Sequence, residues 1–261
     1  MTQRRSIPWP RIFAEGTIIL VSILLAFWID AWWDGRQAKV AEEVVLQTLL
    51  DDLLAKRQLL DERNRFVGAI RESAETLLKI SSGSIKSPDE DSIDELIGDV
   101  WWVSNEAQWT SAPLESLAVS GDLSLISSPH LVQSLEALRV AIERVKYHSR
   151  NDQEFHTWIM TPFMVEHADM AQITARMKHR HGQPEVAFVP ADYGFGRRQQ
   201  HSELLASVAF QNLLIAKIER CLDLLETGHP GVEQDLASAI HMLESELAAL
   251  RRVTAKIGEY A

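Results

Sequence analysis

Asp152 and His156 are the two residues whose spacing most suggests chemistry. Four residues apart on a helix, a carboxylate and an imidazole share one face and can meet. Such a pair can act as an acid–base couple, a ligand clamp or a buried hydrogen bond. Ser149, one turn earlier, joins them. At ~100° per residue the trio falls on the apolar stripe of Leu135, Leu138, Ile142, Val145, Ile159 and Phe163, the side expected to face a core. Three readings follow. The first is a hydrogen-bonded polar contact between helices. The second is a small-ligand or enzyme pocket around Asp152 and His156. The third is a metal site completed by His148 or by Glu166 and His167. Metal sites in helical bundles repeat a Glu-x-x-His pattern on two helices, and the chain has no second copy.

Elsewhere the sequence argues against the familiar catalytic classes, and no cofactor or metal is expected. It has no G-x-S-x-G, no P-loop, no H-E-x-x-H and no G-x-G-x-x-G. Gly194-Phe-Gly196 is too short to cradle a phosphate. His179, Arg180 and His181 read as cations at a helix C-terminus. Cys221 is the single cysteine; it excludes an intrachain disulfide framework and reads as a core residue. The chain is expected to be non-enzymatic.

The elements that must position these residues are helical. Ser128 caps a long helix with Pro129 as its first residue, expected to reach about His179 with a kink or break at Pro162. A short helix from Pro113 should stop at Gly121 in a left-handed cap. Another is expected over about 92–103. Trp101, Trp102 and Trp109 after it should anchor it to a bundle. Residues 38–80 contain no proline and place Leu49, Leu53, Leu60, Val67, Ile70, Ala74 and Leu77 in a 4-3 alternation, a stalk helix with coiled-coil character. Residues 182–200 read as irregular, with a short strand at Val186–Val189. Two final helices, about 202–227 and 232–258, are expected to form an antiparallel hairpin broken at Gly228-His229-Pro230-Gly231. The fold class is therefore all-α: a stalk helix packed with three to four further helices in an elongated bundle.

The stalk continues backwards into an apolar run. Residues 12–33 read as a transmembrane helix, uncharged from Gly16 to Ile29. Trp9 stands before it and Trp28, Trp32 and Trp33 close it, at the levels where tryptophan prefers to sit. Glu15 and Asp30 fall near the two interfaces. The residues after the run are too bulky for signal cleavage, so an uncleaved anchor is expected. Arg4, Arg5 and Arg11 precede the span, against Arg36 and Lys39 just after it, which puts residues 1–11 in the cytoplasm and residues 34–261 outside it. The net charge of −11 lies beyond the span, where it repels nucleic acid and anionic headgroups at large. Expected partners are the bilayer and either another protein or a second copy meeting the stalk. With only residues 1–11 before the span, a signal would leave through a partner in the membrane, which favours an accessory subunit.

Two stretches carry a resemblance. Glu15, then Ile23-Leu24-Leu25-Ala26, then Trp32 or Trp33 and Arg36 form the first. Leu117, Ser120-Gly121, Leu123, Ile126 and Leu131 form the second. Together they resemble a widespread bacterial family of uncharacterised single-pass membrane proteins, with a Leu-x-x-[Ser/Thr]-Gly-x-Leu-x-x-Ile segment before a long helix. The resemblance covers about a fifth of the chain. The Asp-Ala-Trp-Trp after the span is richer in aromatics than the family pattern. It implies an N-terminal span in a bacterial inner membrane and a helical extracytoplasmic domain, and no activity.

Overall fold

The structure, a computed structural model, describes residues 9–102, 109–171, 173 and 201–258. Its first element, α1 (Trp9–Ser81), is 73 residues long, roughly 110 Å at 1.5 Å per residue. No proline follows Pro10 until Pro88, so nothing in the sequence interrupts the ladder. The helix ends where Gly83 takes φ 69°. Ser84 N–H then reaches Lys79 O at 2.9 Å and Gly83 N–H reaches Ile80 O at 3.0 Å, a Schellman closure.

Short helices follow, each started by an acceptor side chain. Asp89 caps α2 (Glu90–Val100) by accepting from Ser92 N at 2.8 Å. Ser111 caps α3 (Ala112–Ser120), which stops at Gly121 with φ 79° as expected. After a 3₁₀ turn (Asp122–Leu125) comes α4 (Pro129–Phe155). Ser128 holds the N-cap position there but makes no capping bond. The carboxylate of Glu42 on α1 instead accepts from Ser127 N at 2.6 Å and from Ser127 Oγ at 2.9 Å. Likewise Asp52 of α1 accepts from Ser111 Oγ at 2.6 Å. Two acids of the long helix thus fix where α3 and α4 begin.

Pro162 does not break the next helix. A π turn (His156–Met160) carries α4 into α5 (Thr161–His167), with helical angles at both joints. Ala168 ends it in extended conformation, short of the expected His179. The rest of that expected helix, apart from Asp169, Met170, Ala171 and Ile173, lies outside the described residues, as do the irregular 182–200 segment and the Val186–Val189 strand.

The C-terminal part corrects the expected hairpin. After α6 (Ser202–Ala206), α7 (Val208–Leu222) passes through a second π turn (Asp223–Gly228) into α8 (His229–Gly258) without reversing. Gly228 and Gly231 keep negative φ, so the glycines that suggested a turn serve as ordinary helical residues. Before each interior proline the backbone reaches back five residues rather than four: Thr161 N–H to His156 O, and His229 N–H to Leu224 O. The wider turn opens the helix where a proline ring would strike the preceding carbonyl. The resulting rod runs antiparallel to α1. Gln211 meets Ser81, His229 meets Asn64 and Arg251 meets Glu43 in succession along it.

All seven apolar residues expected on the stalk stripe are buried. They pack in two clusters. One unites α1 with Leu131, Leu135, Leu138, Ile142 and Val145 of α4 and Leu236, Ile240, Leu243 and Leu247 of α8. The other joins the far end of α1 to Ile93 and Ile97 of α2, to Phe155, Met160 and Met164, and to Phe210 and Leu214 of α7. The chain is an all-α bundle, and no strand occurs among the described residues. Burial on α1 begins only at Glu42: residues 17–41 are exposed throughout.

Candidate functional site

Ser149 and Asp152 lie inside the bundle, 0% and 3% exposed. The phase of α4 put them there, one and two turns beyond Val145 on the same stripe. The partner of Asp152 comes from α7: Lys217 Nζ donates to Asp152 Oδ1 at 2.7 Å, with both side chains enclosed. A buried carboxylate and ammonium need each other, because the low dielectric that makes either charge costly strengthens the attraction between them.

His156 stands at the edge of this pair. Its ring meets Trp101 edge-on at 4.7 Å, and its Nδ1 is buried with no hydrogen-bond partner among the described residues. Burial, and then the Lys217 charge, hold its pKa below the usual histidine value, with Asp152 pulling the other way. The imidazole is therefore biased to the neutral form. Cys221, one turn past Lys217, has its thiol pushed up to about 12, chiefly by burial. It stays protonated and is no nucleophile at neutral pH. Charge in this cluster is matched inside the protein, and the arrangement ties α4 to α7.

Lys217 had a signal in the sequence. Phe210, Leu214, Lys217, Cys221 and Leu224 repeat at 4-3 spacing, and a lysine in a slot otherwise apolar calls for a carboxylate opposite. The stripe of α4 supplies that carboxylate. Ile159, expected on the same stripe, is 53% exposed, because the π turn rotates the helix there and Met160 takes the inward position.

Two further buried histidines were not singled out from the sequence. His201 Nε2 lies 2.8 Å from Asp94 Oδ1 and 3.5 Å from Glu90 Oε2, joining the start of α6 to α2. His229 Nδ1 donates to Asn64 Oδ1 at 2.6 Å, with Trp109 against its ring at 5.1 Å. Burial, then Arg63 and His148, lower the His229 pKa to about 4. Trp109 and Trp102 anchor as expected, Trp102 edge-on to Phe66 at 6.4 Å.

Of the residues expected at a membrane interface, Trp28, Trp32 and Trp33 are 65%, 44% and 55% exposed, and Asp30 is exposed too. The side chains of Trp9 and Glu15 lie outside the described residues. Glu166 and His167 are exposed at the end of α5, 3.9 Å apart. Among the described residues no group of three or more His, Cys, Asp or Glu is placed to hold a metal ion. No family model matches the chain, and no curated protein or solved structure was found to be similar to it.

Proposed function

We propose that the chain is a single-pass, membrane-anchored module whose helical bundle serves as a non-enzymatic interaction or sensory surface outside a bacterial cytoplasm, in the manner of an accessory subunit. One observation carries the anchor. The apolar start of α1 holds an 18-residue window of mean hydropathy 1.6, none of it buried against the bundle, and the same helix continues into the core. A run of that composition left bare in water would be a large exposed apolar surface; hydrocarbon is its natural solvent. The tryptophans at its ends and the resemblance of Glu15–Arg36 to a single-pass family support the same reading.

The non-enzymatic part rests on the polar cluster. Asp152 is bonded to Lys217, and Cys221 is a protonated core thiol, so neither is poised as a base or nucleophile. Their role in this reading is to hold α4 and α7 in register. The basic residues before the span support a cytoplasmic N-terminus.

Membrane fractionation with an alkaline wash tests the anchor: the full chain should stay in the pellet, and recovery in the supernatant would sink the proposal. Alkaline phosphatase fused after Ala261 should be active, and an inactive but expressed fusion would reverse the orientation. Gentle detergent extraction followed by identification of co-purifying chains, with crosslinking through the stalk, addresses the partner. A chain recovered alone and uncrosslinked would count against an accessory role.

A further inference from the structure

Between the last tryptophans of the apolar run and the first buried residue of the bundle, α1 crosses an exposed collar, residues 34–41. Trp32, Gly35, Arg36, Lys39 and Glu43 stand three and four residues apart and share one face of it. An open, shallow cavity of about 360 Å³, walled by this helix alone, lies against that face. At Gly35 an added Cβ would meet nothing within 4 Å. The glycine therefore leaves the main chain bare in the middle of the cavity wall.

The charges on this face are unusual for so acidic a chain. Arg36 and Lys39 are the only basic residues between Arg11 and Lys56. The Arg36 guanidinium lies over the Trp32 ring, 5.8 Å from its centroid. The acid on the face, Glu43, already accepts from Arg251 Nε at 3.1 Å. Glu42, next to it, is turned inward onto Ser127. Asp34 falls about 200° around the helix from Trp32, away from the cavity. Two cations thus border an open notch whose neighbouring carboxylates are engaged or averted.

The height of the notch identifies what it meets. If Trp33 marks the edge of the hydrocarbon, the headgroup layer extends about 5–8 Å from that edge; Arg36 stands about 4.5 Å beyond it, within the layer, and Lys39 about 9 Å beyond it, from where its long side chain reaches back into the layer. We infer that this collar is a binding site for the phosphate-bearing headgroup of an anionic phospholipid. Arg36 and Lys39 take the phosphate oxygens, Trp32 lies along the glycerol backbone, and the bare main chain at Gly35 admits the headgroup close to the helix. Free phosphate has the same chemistry, but two exposed cations hold it poorly in water. A lipid is confined beside the helix by the bilayer itself, which raises its effective concentration at the two cations. The bundle's net negative charge repels an anionic surface only over about a Debye length, about 8 Å at physiological salt, and contact at Arg36 and Lys39 is shorter than that. The inference rests on the membrane reading above.

Native mass spectrometry of the full chain tests it, after incorporation into nanodiscs of phosphatidylcholine with a minor share of phosphatidylglycerol and release into detergent. Phosphatidylglycerol should be retained on the order of ten-fold above its bulk share, from two cations at the surface. The double substitution R36Q/K39Q should bring retention down to that share, and Gly35→Leu should lower it with the charge unchanged. K56Q/R57Q, on the bundle, should leave it intact. Retention at bulk proportion in the parent chain, or enrichment surviving R36Q/K39Q, overturns the site while the anchor stands. Loss of enrichment in excess inorganic phosphate shows a free-anion site and overturns the lipid assignment. A chain that enters no bilayer of either composition overturns the anchor and the site together.

Discussion

At the scale of single residues, stability depends most sharply on charges that have left water. Replacing Lys217 by Met would strand the Asp152 carboxylate, 4% exposed, without its cation. Breaking one side of a buried pair costs about 3–5 kcal/mol, whereas replacing both sides with apolar groups is often neutral. K217M should therefore unfold at markedly lower urea than the parent in mild detergent, and D152L/K217M should recover most of the loss, both followed by circular dichroism. A K217M chain within about 1 kcal/mol of the parent would show that water reaches Asp152. His229 gives the pH counterpart. Its pKa is about 4 in the folded chain against 6.5 when free, so above pH 6.5 both states are neutral and the residue contributes no pH dependence. As pH falls from 6.5 to 4 the unfolded chain takes up the proton first, and stability drops by about 3 kcal/mol at ~1.4 kcal/mol per pH unit. Urea midpoints measured across that window should fall in the parent and flatten in H229Q; parallel curves would remove His229 as the cause. Asp152 and Ser149 were legible because helical phase alone places them inward, and the Lys217 slot was readable on its own stripe. His229 was not: its acceptor Asn64 lies 165 residues away, and nothing local to Gly228-His229-Pro230-Gly231 points to it.

The two π turns govern the helical elements, and each occurs where the spacing of inward positions changes. Along α4 and α5 the 4-3 alternation gives way to Asp152, His156, Met160 and Met164, spaced four apart; along α7 and α8 it gives way to Leu224, Gly228, Val232 and Leu236. Most of these residues are buried and His156 is half-buried. A run of fours drifts around an α-helix but stays in line on a wider turn. In both cases a proline follows two residues after the turn ends. The expected hairpin failed because Gly, Pro and Gly together resemble a turn signal, while the unbroken run of fours across them pointed to continuity. Deleting Glu226, which is exposed, should convert the second π turn to α and place Pro230 inside a regular ladder, at a cost of about 3 kcal/mol. Adding Pro230→Ala to the deletion should return most of that stability in urea unfolding. If the deletion alone is silent, the π turn is not what accommodates the proline.

At the scale of the whole molecule, α1 is one continuous helix with two surfaces, bare and apolar up to Trp33 and packed against the bundle from Glu42 onward. That a long apolar helical run would pass into a packed stripe was legible in the sequence, the run from its uncharged length, the stripe from Leu49–Leu77. What could not be read was how far down the helix the bundle reaches. That depends on the α7–α8 rod returning as far as Arg251 beside Glu43, and so on the hairpin being absent. This geometry separates the proposed anchor from folding. No residue from 17 to 41 is buried, so removing everything before Asp34 takes no described residue from either core cluster, and Asp34 can itself cap the shortened helix. A chain starting at Asp34 should remain soluble without detergent and keep helical content and melting temperature close to those of the bundle in the full chain. By contrast, Leu24→Arg in the full chain leaves the bundle untouched but puts a charge near the middle of the span, at about 2.5–3.5 kcal/mol on insertion scales. It should move a measurable share of the protein from the membrane pellet to the soluble fraction without shifting the melt. A truncated chain that aggregates or unfolds would mean that the collar and span complete the bundle through contacts with a second chain. In that case the exposed face of residues 17–41 would be an interface between proteins rather than one with lipid.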